Sequence, residues 1–245
     1  MSKPKCDIRV GTSGWHYAHW TGRFYPADLP KSKWFEFYSK EFDTVEINNT
    51  FYQLPKKESV KKWYEKAPDN FVFTVKANRF ITHIKKLKEA SESLRRFLDT
   101  IVLFKEKLGP VLYQLPPSLR KDLDLLESFA CLLPKEQTSV FEFRHKSWFS
   151  DDTYELLNRF GLGFCVHDLG GVETPRLVTG EVVYMRFHGT SGRYAGNYSK
   201  PVLRQWADWA AEQIRDVRAI YAYFNNDFNA YAVANARTLR EQLLQ

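Results

Sequence analysis

Four carboxylates, three cations and three imidazoles of this chain stand where short runs of β-forming residues stop. They are Glu46, Glu142, Asp168 and Asp227; Lys76, Arg144 and Arg186; and His145, His167 and His188. Asn48, Gln114, Asn225 and Asn226 add neutral polar groups at the same kind of position. Carboxylates and imidazoles can move protons. An arginine fork matches the geometry of a phosphate or carboxylate. A strand of a parallel sheet is covered on both faces and should be apolar. A charge on it costs several kcal/mol unless it is paired or solvated. These groups must therefore pair, face a solvated cavity, or both. Side chains two apart along a strand share a face, so Glu46 goes with Asn48, Glu142 with Arg144, and Arg186 with His188. We expect Glu46, Lys76, Glu142, Arg144, Arg186 and His188 to converge on one cavity. The plain alternative is a salt-bridge layer in which Glu142 pairs with Arg144 or Arg186.

The elements that must position these groups are eight short β-rich phrases. They are Ile8 to Ser13, Thr44 to Asn48, Phe71 to Lys76, Val111 to Gln114, Val140 to His145, Gly163 to Asp168, Val182 to Gly189 and Ile220 to Asp227. Helical spacing appears between most of them: Leu94, Phe97, Leu98, Ile101 and Leu108; Leu203, Trp206, Ala210, Ile214 and Val217; Ala232, Ala236, Leu239 and Leu243. Shorter helical stretches span 123–132 and 153–160, and the Lys-rich segments 56–66 and 85–88 read as solvated helical faces. Eight strands alternating with helices give an α/β chain, a single TIM (β/α)8 barrel with a closed parallel sheet. Between Asp168 and Val182 the chain is too short and too rich in Gly and Pro for a regular helix, so the sixth helix is expected to be irregular or missing. No linker divides the chain, and residues 1–245 read as one domain. Such barrels carry their sites at the carboxyl ends of the strands.

Composition narrows the partner. Lys and Arg number 36 against 29 Asp and Glu, a formal charge of +7, which favours an anionic ligand. Cys6, Cys131 and Cys165 are widely spaced and odd in number, which fits neither a disulfide framework nor a cysteine zinc site. No signal-peptide pattern and no membrane-length apolar run is present, so a cytoplasmic location without a membrane partner is expected.

Three loops complete the candidate site. The first, Gly11-Thr12-Ser13-Gly14-Trp15-His16-Tyr17, offers small residues whose backbone N–H groups could meet an anion, and Trp15 and Tyr17 as ligand-contacting rings, with Trp20 as a cap. His83 follows the third strand. The segment from Gly189 to Tyr198 after the seventh strand is Gly-rich, basic and aromatic, carries Arg193 and Tyr194, and lies where barrels often hold phosphate.

Several segments act together: Gly11 to Trp15 with Phe24-Tyr25-Pro26; Val45 to Asn48 with Thr50-Phe51-Tyr52; Phe73 and Lys76 with Thr82-His83; Gly109 to Ser118; Phe141 to Trp148; Arg186, His188 and Gly189 with Gly192-Arg193-Tyr194; and Tyr223 to Asp227. As a set they resemble the YecE-like family, TIM-barrel proteins grouped as domain of unknown function 72. The resemblance implies the barrel and one functional mouth, and no reaction. The reading is therefore an enzyme acting by acid–base chemistry on an anionic, phosphate-bearing substrate at that mouth. Glu46, Glu142 and His188 are the catalytic candidates. Trp15, Tyr17, Asn48, Lys76, His83, Gln114, Arg144, Arg186, Arg193, Tyr194, Asn226 and Asp227 are the substrate-binding candidates. No cofactor and no metal site are expected. Three alternatives stay open: a phosphoesterase or nuclease using a divalent metal, a glycosidase, and a non-enzymatic protein that binds nucleic acid or nucleotides.

Overall fold

The eight β-rich phrases all form strands in the computed structural model, which describes residues 6–170, 172–191 and 194–245. They are β1 (Asp7–Thr12), β2 (Thr44–Ile47), β3 (Val72–Lys76), β4 (Leu108–Gln114), β5 (Ser139–Glu142), β6 (Gly163–Leu169), β8 (Val182–Phe187) and β9 (Ala219–Phe224). The ninth, β7 (Val172–Glu173), has two residues and pairs antiparallel with β6. The strand order is β1-β9-β8-β6-β5-β4-β3-β2, and an isolated parallel bridge between Ser13 and Glu46 joins the ends of β1 and β2. This is the TIM-like (β/α)8 arrangement. Its helices are α1 (Trp34–Glu41), α2 (Asn49–Tyr52), α3 (Lys57–Lys66), α4 (Ser91–Ile101), α5 (Leu123–Ala130), α6 (Asp151–Arg159), α7 (Lys200–Gln213) and α8 (Tyr231–Leu243). Among the described residues no helix lies between β6 and β8; β7 and irregular backbone take its place, as the Gly- and Pro-rich interval implied.

Contacts divide the chain into two compact units. The first comprises residues 1–46, 166–176 and 181–245, the second 47–165 and 177–180. In the first, β1 pairs with β9 from Asp7↔Ala219 to Thr12↔Phe224, and β9 pairs with β8 in register from Ala219↔Val182. All six residues of β8 are buried, which explains why Val182 to Phe187 shows no alternation. Gly11 is required here by space. A Cβ on it would sit 2.5 Å from the Thr44 carbonyl oxygen, where β1 approaches β2.

In the second unit β3, β4 and β5 pair in parallel, with Gln114 beside Glu142, and β5 pairs with the start of β6. Helix α4 shows how a helix attaches. Leu94, Phe97 and Ile101 are buried at helical spacing while Glu92, Arg95 and Arg96 are exposed. Burying each large apolar side chain is worth about 1.5–3 kcal/mol. The Asp122 carboxylate accepts from Leu125 N at 3.0 Å and caps α5, worth about 1 kcal/mol.

Two local expectations are corrected. Residues 85–88 are not helical. They form a turn in which Lys86 and Leu87, with Glu89 just after, have positive φ, and Leu87 is buried. Hydrophobic anchoring of Leu87 overrides the helix propensity of the lysines. A wide turn of π-helical type, Phe80–Ile84, precedes it and has no periodic signature in the sequence.

Candidate active site

Each unit gathers part of the expected constellation. Glu46, Arg186 and His188 fall in the first unit, and Lys76, Glu142 and Arg144 in the second.

In the first unit Glu46 is fully buried at the end of β2. Its Oε1 accepts from Ser13 Oγ at 2.6 Å and from Arg186 Nε and Nη2 at 3.1 and 2.7 Å, and its Oε2 accepts from the Tyr184 hydroxyl at 2.6 Å. Four donors thus occupy one buried carboxylate. Tyr184, Arg186 and His188 share a face of β8 by the two-residue period. Burial, then the adjacent Glu46 carboxylate, holds the Tyr184 hydroxyl protonated well above its usual range. His188 is also buried. Its backbone N–H donates to the Asp168 carbonyl at 2.9 Å, and its Nδ1 lies 3.3 Å from Asn225 Nδ2. With Asn225 donating to Nδ1, the ring proton is placed on Nε2. The rings of His167 and Tyr194 stand edge-on to His188, both with centroids 6.1 Å away.

The outer part of this unit holds other candidates. Tyr17 donates to the Ser13 carbonyl at 2.6 Å, and burial followed by Asp227 and Glu46 raises its hydroxyl pKa. Trp15 is buried against Phe35. Trp20 is fully buried and its indole donates to the Asp227 carbonyl at 2.9 Å. The Asp227 carboxylate lies 3.2 Å from His19 Nε2, and burial raises its pKa. Asn226 is fully buried and donates to the Gly196 carbonyl and to Asn235 Oδ1, both at 2.9 Å. Tyr194 is exposed, with φ of 64°, and its N–H donates to the His188 carbonyl at 2.8 Å. Arg193 lies outside the described residues.

The first loop does not form the anion-binding turn that its small residues suggested. The N–H of Thr12 donates to the Tyr38 hydroxyl, that of Ser13 to the Phe224 carbonyl, and that of Gly14 to the Thr12 carbonyl. All three donors are consumed inside the fold, and Ser13 instead serves Glu46 through its hydroxyl.

In the second unit the carboxyl ends of β3, β4 and β5 supply Lys76, Gln114 and Glu142. Lys76 is buried, its amine donates to Gln114 Oε1 at 2.5 Å, and it stands 4.1 Å from the centre of the Phe51 ring. Arg144 forms an ion pair with Glu142, which is fully buried and takes a further weak contact from Cys165 Sγ at 3.8 Å. The His83 ring packs edge-on against Phe51, and its Nδ1 lies 2.9 Å from Thr82 Oγ1. Burial, then Lys76 and Arg79, lowers its pKa to about 4 from an ordinary 6.5, with Arg144 adding to the effect and Glu142 opposing it. The imidazole is therefore neutral at pH 7, and its neighbourhood is electropositive. Asn48 stands just before α2 without a side-chain cap, and its Oδ1 is buried without a hydrogen-bond partner.

Sequence reasoning missed Tyr184, Ser13 and Phe51. Tyr184 had a signal, since it lies two residues before Arg186 on one strand face. Ser13 and Phe51 stand in the first-loop and Thr50-Phe51-Tyr52 segments, but they reach their partners through tertiary packing, which spacing does not show. Among the described residues no group of three or more His, Cys, Asp or Glu is placed to hold a metal ion, and no helix is long and apolar enough to cross a membrane.

The chain is similar to known proteins in sequence and in fold. The sequence model of the family described as "Protein of unknown function DUF72" covers residues 9–245. A solved structure of a DUF72 family protein from Thermotoga maritima superposes with a TM-score of 0.89 at 31% identity, covering 98% of this chain and all of that one. The Bacillus subtilis UPF0759 protein YunF is 26% identical, with 96% of this chain and 94% of YunF covered. The Escherichia coli UPF0759 protein YecE is 31% identical over 62% of this chain and 54% of its own length.

Proposed function

The chain belongs to the DUF72 family, described as of unknown function, and from that premise we propose that it is an enzyme acting on a small substrate with an oxyanion group, held at the carboxyl ends of β3 to β5. Lys76 and Arg144 are the anion-binding residues and Glu142 is the proton-transfer group. The observation that carries this reading is the charge balance around Glu142. Arg144 pairs with Glu142, and Lys76, Arg79 and Arg144 all act on His83 against that one carboxylate, where burial first and then Lys76 and Arg79 keep the imidazole neutral. An incoming phosphate oxyanion satisfies the Arg144 fork. It thereby releases Glu142 from its ion pair and leaves that carboxylate free to accept a proton from the substrate. Gln114 holds the Lys76 amine in position by the hydrogen bond between them.

In the first unit, Glu46 is a positioning residue in this reading, because its oxygens are already engaged by Ser13, Tyr184 and Arg186. His188 is the proton-transfer candidate there, with its tautomer set by Asn225. The divalent-metal alternative has no donor set among the described residues, and nothing specific favours a glycosidase.

Calorimetry with inorganic phosphate and pyrophosphate tests the proposal. Arg144→Lys keeps a charge beside Glu142 and loses the fork. Lys76→Gln removes the amine. Each is expected to weaken binding about tenfold or more, since a hydrogen bond to a charged group is worth about 1.5–3 kcal/mol. Binding equal to that of the parent in both variants defeats the proposal.

A further inference from the structure

The excess charge of the chain has an address. Between Lys56 and Arg96 there are twelve Lys and Arg against five Asp and Glu, an excess of seven, which equals the formal charge of the whole chain. Within that stretch or at its edge, three large apolar side chains stand out in solvent: Tyr52 at 72% exposure, Phe80 at 44% and Ile84 at 59%. They belong to one surface of the second unit. Asn78 Nδ2 donates to the Thr50 carbonyl at 2.8 Å and ties α2 to the turn after β3, while the Phe80 N–H donates to Asn78 Oδ1 at 2.9 Å. Between them opens a groove of about 190 Å³ lined by Leu54, Asn78, Phe80, Ile81, Arg96 and their neighbours. Arg96 lines it, Arg79 next to Phe80 and Lys88 after the turn are exposed, and the Lys85 amine stands 5.7 Å from the Phe80 ring centre.

Exposed apolar side chains gathered on one surface mark a binding site. Exposed rings beside a groove, with Arg96 in its lining and further exposed cations in the same segments, match what a single strand of nucleic acid offers, namely stackable bases on a polyanionic backbone. A flat membrane surface would use the cations and the apolar tips but has nothing to place in a groove. We propose that the surface formed by α2, the turn Phe80–Ile84 and the start of α4 binds single-stranded nucleic acid, with Tyr52 and Phe80 as stacking platforms and Arg79, Lys88 and Arg96 on the phosphates. Its stacking rings and phosphate contacts include neither Lys76 nor Arg144, so either proposal can fail without the other.

The test is fluorescence anisotropy of labelled (dT)20 and (U)20 on the full chain. Three phosphate contacts predict a fall in affinity of roughly 20-fold between about 50 and 200 mM salt. Tyr52→Ala and Phe80→Ala, both exposed, are each expected to weaken binding about fivefold or more. The double change Arg79→Glu and Lys88→Glu is expected to flatten the salt dependence. Arg144→Lys is expected to retain oligonucleotide binding. Absence of binding at 50 mM salt overturns the proposal. So does binding that both ring variants retain in full, which marks simple adhesion to a polyanion. Binding to anionic lipid vesicles but not to oligonucleotides, lost in the same variants, also overturns it and assigns the surface to membranes.

Discussion

Glu46 and Arg186 set the energetics at the residue scale. Both are buried, and each satisfies the other. Removing one partner of such a pair leaves an uncompensated charge and costs about 3–5 kcal/mol. Arg186→Ala is thus expected to be far less stable than Tyr184→Phe, which loses one hydrogen bond to a charged group, about 1.5–3 kcal/mol. Urea denaturation checks the order, and an Arg186→Ala protein within 1 kcal/mol of the parent would contradict it. His83 gives a second prediction. Its folded pKa of about 4 lies below the ordinary 6.5. The unfolded chain therefore takes up the proton first as pH falls, and the contribution of His83 to stability is intact above about 6.5 and lost progressively toward 4. Phosphate bound at Lys76 neutralises part of the field that lowers this pKa. An NMR titration is expected to show a midpoint near 4 that moves upward with added phosphate. A midpoint near 6.5, or one indifferent to phosphate, would count against the electropositive site. At this scale the charged residues were legible because charge does not belong on buried parallel strands. Their partners were not, because pairing is decided by how strands are set beside one another.

Elements were the most legible level. Buried strands such as β8 announce themselves as continuous β-branched and aromatic runs, and α4 as a periodic apolar stripe. Turns were the least legible. The sequence of residues 85–88 favours helix, yet Leu87 is drawn into the core at positive φ. The loop after β8 also depends on backbone geometry. Gly189 has φ of 101°, and a Cβ there would lie 2.0 Å from the Ala195 carbonyl oxygen. Gly189→Ala is expected to cost more than about 1 kcal/mol and to disturb the contact between Tyr194 and His188. Thermal denaturation, together with the NMR signal of His188, measures both effects. An unchanged melting temperature would show that the loop can be rebuilt without strain.

For the whole molecule the useful quantity is ligand-linked stability. A ligand that binds only the native state stabilises it by about 2.7 kcal/mol at one hundred times its dissociation constant. Phosphate is thus expected to raise the melting temperature beyond what sodium chloride of equal ionic strength achieves, and Arg144→Lys is expected to abolish that difference. An equal response to both salts would mean that only general screening is at work. The fold class was readable from eight strands and their spacing, and the first unit is assembled from three separated stretches of chain. That interleaving bears on biosynthesis. β1 finds its partner in β9, with Asp7 opposite Ala219, so β1 leaves the ribosome about 210 residues ahead of the strand it pairs with. At 5–20 residues per second the gap of about 210 residues takes roughly 10–40 s to synthesise. Throughout that interval the β1 backbone has one unsatisfied edge, exposed to chaperones and to the edges of neighbouring nascent chains, while residues 47–165 already have β3, β4 and β5 available to pair.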